Sequence, residues 1–311
     1  MRTSPRLLAL ALMLALVPSA PAAWADSARA GAKKSAPTVK LLAAGKGKRQ
    51  KLRYAIPRGT KETVQMDMDM AMSMSMQGQN MDIRLPVMRM RMETEVTEVT
   101  DKGHMRYRFR YGGTELLDTP GVAPMVKTSL EQALAGIGTL EGYAVITDRG
   151  VTLDGGFELG SAADPQLQQL LGSLEQSLQQ LSAPLPTQAV GVGARWEVRS
   201  DIENNGVAVS QTARYEIVAM SEDSVTCKVT ISQKAKPQTI NDPNMPPGSS
   251  VEVLSMQGSG SGQVTIPLRR LTPTSQAKIA TEMQMRMNMG AQNHDMGMKM
   301  TLGMKIAPAP R

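Results

Sequence analysis

The sequence predicts an α+β fold that is mostly β: a curved antiparallel sheet or open half-barrel with about two covering helices. Three observations lead to this prediction. Short segments alternate strictly between apolar and polar residues, turn signals separate them, and two stretches in the middle of the chain change to a helical period. Clean alternation is typical of antiparallel strands that are buried on one face only.

The N-terminus predicts a signal peptide over residues 1–25. Arg2 and Arg6 precede an apolar run over residues 7–17, which is too short to span a bilayer comfortably. The small residues of AWA, which ends at Ala25, are those that signal peptidase requires, so cleavage is expected there. We therefore expect the mature protein in the periplasm or outside the cell, with no transmembrane segment.

Positive charge is concentrated near the start of the mature chain. Residues 26–61 hold eleven Lys and Arg and one acidic residue, whereas residues 62–311 hold 22 basic and 27 acidic residues. Residues 26–48 are rich in Ala, Gly and Lys, which predicts a flexible basic arm. Such an arm is either a solvated tether or a means of attraction to an anionic envelope surface. Nucleic acid is not expected as a partner, because no aromatic–basic platform accompanies the arm.

Alternation is strongest in MDMDMAMSMSM, residues 66–76, where methionine occupies every second position. The same pattern returns in VMRMRM and, near the C-terminus, in TEMQMRMNM and MGMKM. Each of these segments predicts a strand with one apolar face. On the other face, Asp67 and Asp69 are expected to pair with arginines of neighbouring strands.

Turn signals support the same arrangement. Asn205-Gly206 predicts a hairpin between two alternating segments. The run GSGSG at residues 258–262 lacks the spacing and the following helix of a phosphate-binding loop, so it predicts a strand edge or a bend. The tips QNMD at 79–82 and QNHD at 292–295 resemble each other, which is consistent with an internal duplication.

Two helices are predicted over residues 122–136 and 164–182. The second has Asp164 as N-cap, Pro165 at its first position and a single stripe of leucines. Both helices are expected to cover part of the methionine-lined face. Residues 49–306 are thus predicted to form a single β-rich domain, either undivided or made of two pseudo-repeated halves that meet near residues 185–190. A short tail over 307–311 follows.

The methionines lead to the functional hypothesis. Ordinary strand cores use valine and isoleucine, whereas methionine is unbranched and adapts to varied apolar ligands. The working hypothesis is a non-catalytic binding module for a lipid or other apolar ligand, with these ligand-binding residues: Met68, Met70, Met72, Met88, Met90, Met285 and Met287. The alternative is a structural or interaction protein with a filled core.

A Cu(I)-binding protein is the third hypothesis. Thioethers are soft ligands that select Cu(I), and His294 precedes the methionines of MGMKM. Side chains at i and i+2 of one strand are about 6.5–7 Å apart, so ligands for one ion would have to come from more than one strand. The regular alternation is typical of a sheet face, and no metal or cofactor is assigned.

No catalytic arrangement is recognised, and the protein is predicted not to be an enzyme. Neither His104 nor His294 belongs to an H-E-x-x-H motif, and no G-x-S-x-G segment supplies a nucleophile. The one cysteine, Cys227, cannot form an internal disulfide. Its position among Val225, Val229 and Ile231 predicts a small buried apolar residue.

Several segments resemble an uncharacterised family of exported Gram-negative proteins with a domain of unknown function. They are KLLAAGKGKRQKLRYAIPRGT, LSAPLPTQAVGVGARWEV and SGSGQVTIPLRRLTPTS, and the most specific piece is the turn at Gly193 before Trp196. Many members of that family are lipoproteins, whereas this chain lacks the cysteine for such attachment. The resemblance implies location and architecture but no activity. A looser likeness to the half-barrels of LolA-like lipoprotein carriers concerns the fold alone.

Overall fold

A computed structural model describes residues 37–310, except 77, 136–139, 159–183, 205, 241–248 and 290–291. The predicted signal peptide, the first part of the predicted arm and the predicted helix over 164–182 lie outside these residues. Among the described residues, no helix has the length and apolar character needed to cross a membrane.

Sixteen strands account for most of the described residues. The first eight are β1 (Thr38–Ala43), β2 (Lys46–Gln50), β3 (Lys61–Met76), β4 (Gln79–Arg84), β5 (Val87–Val99), β6 (Met105–Leu117), β7 (Glu141–Ile146) and β8 (Thr152–Glu158). The other eight are β9 (Val190–Val192), β10 (Arg195–Asn204), β11 (Val207–Met220), β12 (Ser224–Ala235), β13 (Gln238–Ile240), β14 (Ser249–Pro267), β15 (Thr274–Met289) and β16 (Gln292–Pro308).

Fourteen of these strands form one antiparallel sheet. Its order is β1-β10-β11-β12-β14-β15-β16-β3-β5-β6-β7-β8, with β4 beside β3 and β13 beside β14. Strands β2 and β9 form a separate pair. The last strand of the chain therefore lies beside β3, and this pairing joins the N-terminal and C-terminal parts of the sheet. The predicted mostly β fold with a large antiparallel sheet is confirmed.

The segment between β2 and β3 shows that the sheet is curved. The amide of Tyr54 donates to the carbonyl of Asp148 in the β7–β8 turn, and the amide of Ala55 donates to the carbonyl of Leu268 after β14, both at 2.7 Å. In a flat sheet, β7 and β14 would be roughly 29 Å apart, because six strand spacings separate them. Two consecutive residues reach both turns only if the sheet bends around them.

We call this end of the sheet the base and the opposite end, with the β3–β4 and β15–β16 turns, the tip. At the base, Leu52 and Leu185 pack against Trp196 with the buried side chains of four strands: Val198, Ile217, Val225, Cys227 and Ile266. The ring of Trp196 stacks on Tyr215 at a centroid distance of 5.0 Å. This group is the base cluster.

A second buried group, the tip cluster, lies toward the other end. It comprises Met72, Val207, Val209, Val253, Met283, Met285, Met296 and Met298. Cross-strand pairs such as Met283 with Met298 place these methionines on one face. The hairpin predicted at Asn205-Gly206 is confirmed, because Asn204 pairs with Val207 across its turn.

One helix, α1 (Pro124–Ala135), lies between β6 and β7. It occupies most of the range predicted as 122–136, and proline stands at its first position, where the missing amide costs no helical hydrogen bond. Leu130 is buried, and the ammonium of Lys127 binds the carboxylate of Asp118 at 2.8 Å. Of the two predicted helices, this one is within the described residues.

Two boundaries differ from the sequence prediction. Residues 38–43 and 46–50 form β1 and β2, so the flexible arm predicted over 26–48 is wrong where it overlaps these strands. The lysine-rich composition hides a short alternation in which Val39 and Leu41 pack against the base cluster, while Lys40 is exposed. At the other end, β16 continues to Pro308, two residues into the predicted tail.

Candidate ligand-binding face

All seven methionines predicted to bind a ligand lie on the same face of the sheet, which we call the methionine face. Strands β3, β5 and β15 carry them, and β16 lies between β3 and β15. Three of them are buried: Met72, Met88 and Met285. Four are half-buried: Met68, Met70, Met90 and Met287.

The centre of this face is less covered than its two ends. Seven half-buried apolar side chains form what we call the middle band: Met66, Met68, Met70, Met90, Ile279, Leu302 and Met304. The register places Met70, Leu302 and Ile279 side by side on three adjacent strands. Because the base and tip clusters on either side are buried, the middle band is an apolar surface that the described residues leave partly open.

Four members of the middle band were missed by sequence reasoning: Met66, Ile279, Leu302 and Met304. Alternation did place Met66 on the correct face of its own strand, and LGMKI in β16 continues the pattern of MGMKM. What alternation does not reveal is which strand lies beside which. The pairing of β16 with β3 joins segments more than 200 residues apart.

Three glycines of β14 border the middle band. Gly258, Gly260 and Gly262 face the same side as the methionines. A Cβ on Gly262 would lie 2.8 Å from the Cβ of Ala277, and one on Gly260 would lie 2.8 Å from Cγ1 of Ile279. The neighbouring side chains therefore lie over the bare backbone of β14. The strand edge predicted as one possibility for GSGSG is wrong, because β14 pairs with a strand on each side. Its glycines lie on the methionine face, and its serines lie on the opposite, exposed face.

The opposite face is held by ion pairs between neighbouring strands. The guanidinium of Arg89 donates to both oxygens of Asp67, at 2.8 and 2.9 Å, and that of Arg84 donates to Asp69. The hydrogen bond from Arg89 lowers the pKa of Asp67. The predicted pairing of these aspartates with arginines is confirmed, and it holds both carboxylates on the face away from the methionines.

A polar cleft of about 930 Å³ lies on this opposite face. Lys61, Arg91, Glu93, Arg108 and Arg110 are among its lining residues. Charged residues of the cleft form ion pairs with one another, such as Lys61 with Glu95 at 3.3 Å and Arg110 with Glu141 at 2.8 Å. Positive and negative groups alternate along the cleft, so it offers no field of a single sign to a charged ligand.

Buried titratable groups at the base are arranged for packing. Cys227 is fully buried, as predicted, and burial raises its pKa to about 12. Burial also raises the pKa of Tyr215 to about 12. A thiol with so high a pKa is a poor nucleophile at neutral pH, because the thiolate is the reactive form.

Polar metal ligands are not grouped in the part of the chain that the structure describes, where no three His, Cys, Asp or Glu side chains come together. Asp295, next to His294, is engaged by Arg286, whose Nε donates to it at 2.7 Å. This hydrogen bond lowers the pKa of Asp295. Any metal site among these residues of the face would therefore have to include thioethers among its ligands.

No protein-family model matches the chain, and the comparison with curated proteins finds no match. The methionine face itself therefore provides the basis for a functional proposal.

Proposed function

We propose that this protein is a non-catalytic binding protein of the bacterial envelope that holds a lipid or other apolar ligand against the middle band. The observation that carries the proposal is the half-burial of seven adjacent apolar side chains on the methionine face. Covering an apolar surface of this kind with a ligand is favourable, by about 25 cal/mol for each Å² of apolar surface removed from water.

The composition of the middle band supports an apolar ligand of variable shape. Five of its seven side chains are methionines, whose three rotatable bonds let them adapt to different outlines. The inward glycines Gly260 and Gly262 add no side chain beside the band, so the neighbouring apolar side chains of β15 lie over the backbone of β14. A curved sheet with such a face provides contact area without requiring a polar recognition group.

The first experiment is native mass spectrometry of the gently purified full chain, followed by solvent extraction. A co-purifying lipid, or saturable uptake of a fluorescent fatty acid by the delipidated protein, is the expected result. If neither is observed, the ligand proposal fails and the alternative of a structural or interaction module stands.

A pair of variants locates the binding. Met68, Met90 and Met304 changed together to glutamine keep the side-chain lengths but add polar amides, so uptake of the fatty acid should fall. The same three positions changed to leucine keep the face apolar and should retain uptake. Equal uptake by both variants would show that the probe binds elsewhere.

A further inference from the structure

A continuous row of methionines crosses the tip cluster. The strand registers place Met81, Met74, Met298, Met283 and Met256 side by side on five adjacent strands: β4, β3, β16, β15 and β14. One step nearer the tip, Met76, Met296 and Met285 form a second row on three of those strands. Eight thioethers thus lie in two neighbouring rows of one face.

The row geometry lets three thioethers approach one point. Adjacent strands are about 4.8 Å apart, so Met74 and Met283 lie about 9.6 Å from each other with Met298 between them. The sulfur of each outer methionine lies two bonds beyond its Cβ, and rotation about χ1 and χ2 lets it lean over the central strand. Convergence that is difficult within one strand is straightforward across three.

The strands themselves do not require methionine at these positions. In the same strands, Ile279, Leu302 and Ile306 occupy the methionine face nearer the base. Branched apolar side chains are therefore compatible with this sheet, and they suit strands better than methionine does. The need to fill the apolar core therefore does not by itself explain why five adjacent positions in one row are all methionine.

The chemistry of the row favours a soft monovalent ion. Neutral thioethers are ligands for Cu(I), whereas hydrated divalent ions prefer oxygen or imidazole. Met283 and Met298 are buried, so the site is shielded from water. Met76 and Met81 at the rim are 37% and 40% exposed, which gives an ion a first thioether contact from solvent.

We propose that Met74, Met283 and Met298 form a thioether site for Cu(I), reached through the exposed Met76 and Met81. This site is separate from the middle band, which holds the apolar ligand in the proposed function. Thioethers carry no proton at any working pH, so Cu(I) affinity should be nearly constant between about pH 5 and 8.

The test is an anaerobic competition titration of the full-length mature protein with Cu(I), kept reduced by ascorbate, against a chromophoric Cu(I) chelator. The wild type is expected to take one Cu(I) from the chelator. Changing Met74, Met283 and Met298 together to leucine should weaken binding by at least about tenfold, since loss of even outer-shell partners of a metal costs about 10–100-fold.

A matched variant controls for the loss of three methionines. Met66, Met70 and Met90 changed together to leucine remove three thioethers from the same face, but none of them stands in a row of three. Its Cu(I) affinity should equal that of the wild type. Both triple variants conserve side-chain volume, so circular dichroism and thermal unfolding should match those of the wild type.

X-ray absorption of the Cu(I) complex adds a readout that does not depend on the variants: a shell of sulfur scatterers is expected. Failure of the wild type to compete with the chelator, an equal loss in both variants, or a nitrogen-dominated shell would each overturn the proposal. A steep fall in affinity below about pH 6.5 would also overturn it, because it would assign the ion to histidine.

Discussion

The base and the methionine face are built from different side chains, although they belong to one sheet. At the base, Leu52, Leu185 and Trp196 are at most 1% exposed, and rings and branched chains fit closely together. Toward the tip, unbranched methionines replace them. In the middle band, the apolar side chains remain half-buried.

This difference teaches that stability and adaptability are located separately in the sheet. Closely packed branched and aromatic side chains define one arrangement, and any change of volume there is costly. Methionines tolerate repacking and specify their surroundings less strictly. The base is therefore expected to determine whether the chain folds, and the methionine face to determine what it binds.

The largest expected effect comes from truncation at the base. Leu52→Ala should lower the free energy of unfolding by about 3 kcal/mol, because it leaves a cavity beside Trp196. Met68→Ala, which shortens a half-buried side chain, should cost about 1 kcal/mol. Urea denaturation of both variants measures the difference, and equal losses would contradict the separation of the two regions.

An intermediate effect is expected where β14 meets the middle band. Gly262→Ala would place a Cβ 2.5 Å from the carbonyl oxygen of Gln276, so the free energy of unfolding should fall by about 1–3 kcal/mol. Gly303→Ala in β16 is the matched control, because its nearest contact would be 3.7 Å away. If the two variants are equally stable, the close approach over Gly262 is not what shapes this part of the sheet.

The smallest effect concerns a buried carboxylate at the base end of β3, which binds the turn after β14. Glu62, with a side chain 6% exposed, accepts hydrogen bonds from Nε of Arg270 at 3.0 Å and from the amide of Thr272 at 2.8 Å. Burial acts to raise its pKa, but these hydrogen bonds outweigh burial and hold the pKa below its ordinary value of 4.5. The ionised form therefore stabilises the folded state.

Because the folded pKa of Glu62 is lowered, its stabilising contribution is complete above the unfolded pKa and is lost as pH falls through the folded value. Glu62→Gln should lower the free energy of unfolding by about 1 kcal/mol at pH 7. The gap between variant and wild type should narrow at about pH 3, as measured by urea denaturation at both pH values. A gap that widens in acid would reverse the assignment.

Local features of the fold could be predicted from the sequence. Alternation marks the methionine strands because side chains of a strand point to opposite faces in turn. Proline at the start of α1 and Asn-Gly before β11 mark their elements through backbone geometry. The pairing of Asp67 with an arginine followed from the polar residues between the methionines.

Features that depend on strand order could not be predicted in this way. The row from Met81 to Met256 exists only because β16 inserts beside β3. The strand at residues 38–43 was obscured by lysines, whose charge predicts solvent exposure while Val39 and Leu41 still face the base cluster. Glu62 gave no local signal, since its partners come from the turn after β14.

The most direct test of the account is photo-crosslinking of the full chain with a fatty acid that carries a diazirine, followed by peptide mapping. Labelled residues are expected in β3, β5, β15 and β16 on the methionine face, and excess unlabelled fatty acid is expected to remove the labelling. Labelling confined to the base or to the polar cleft, or no labelling that the competitor removes, would contradict it.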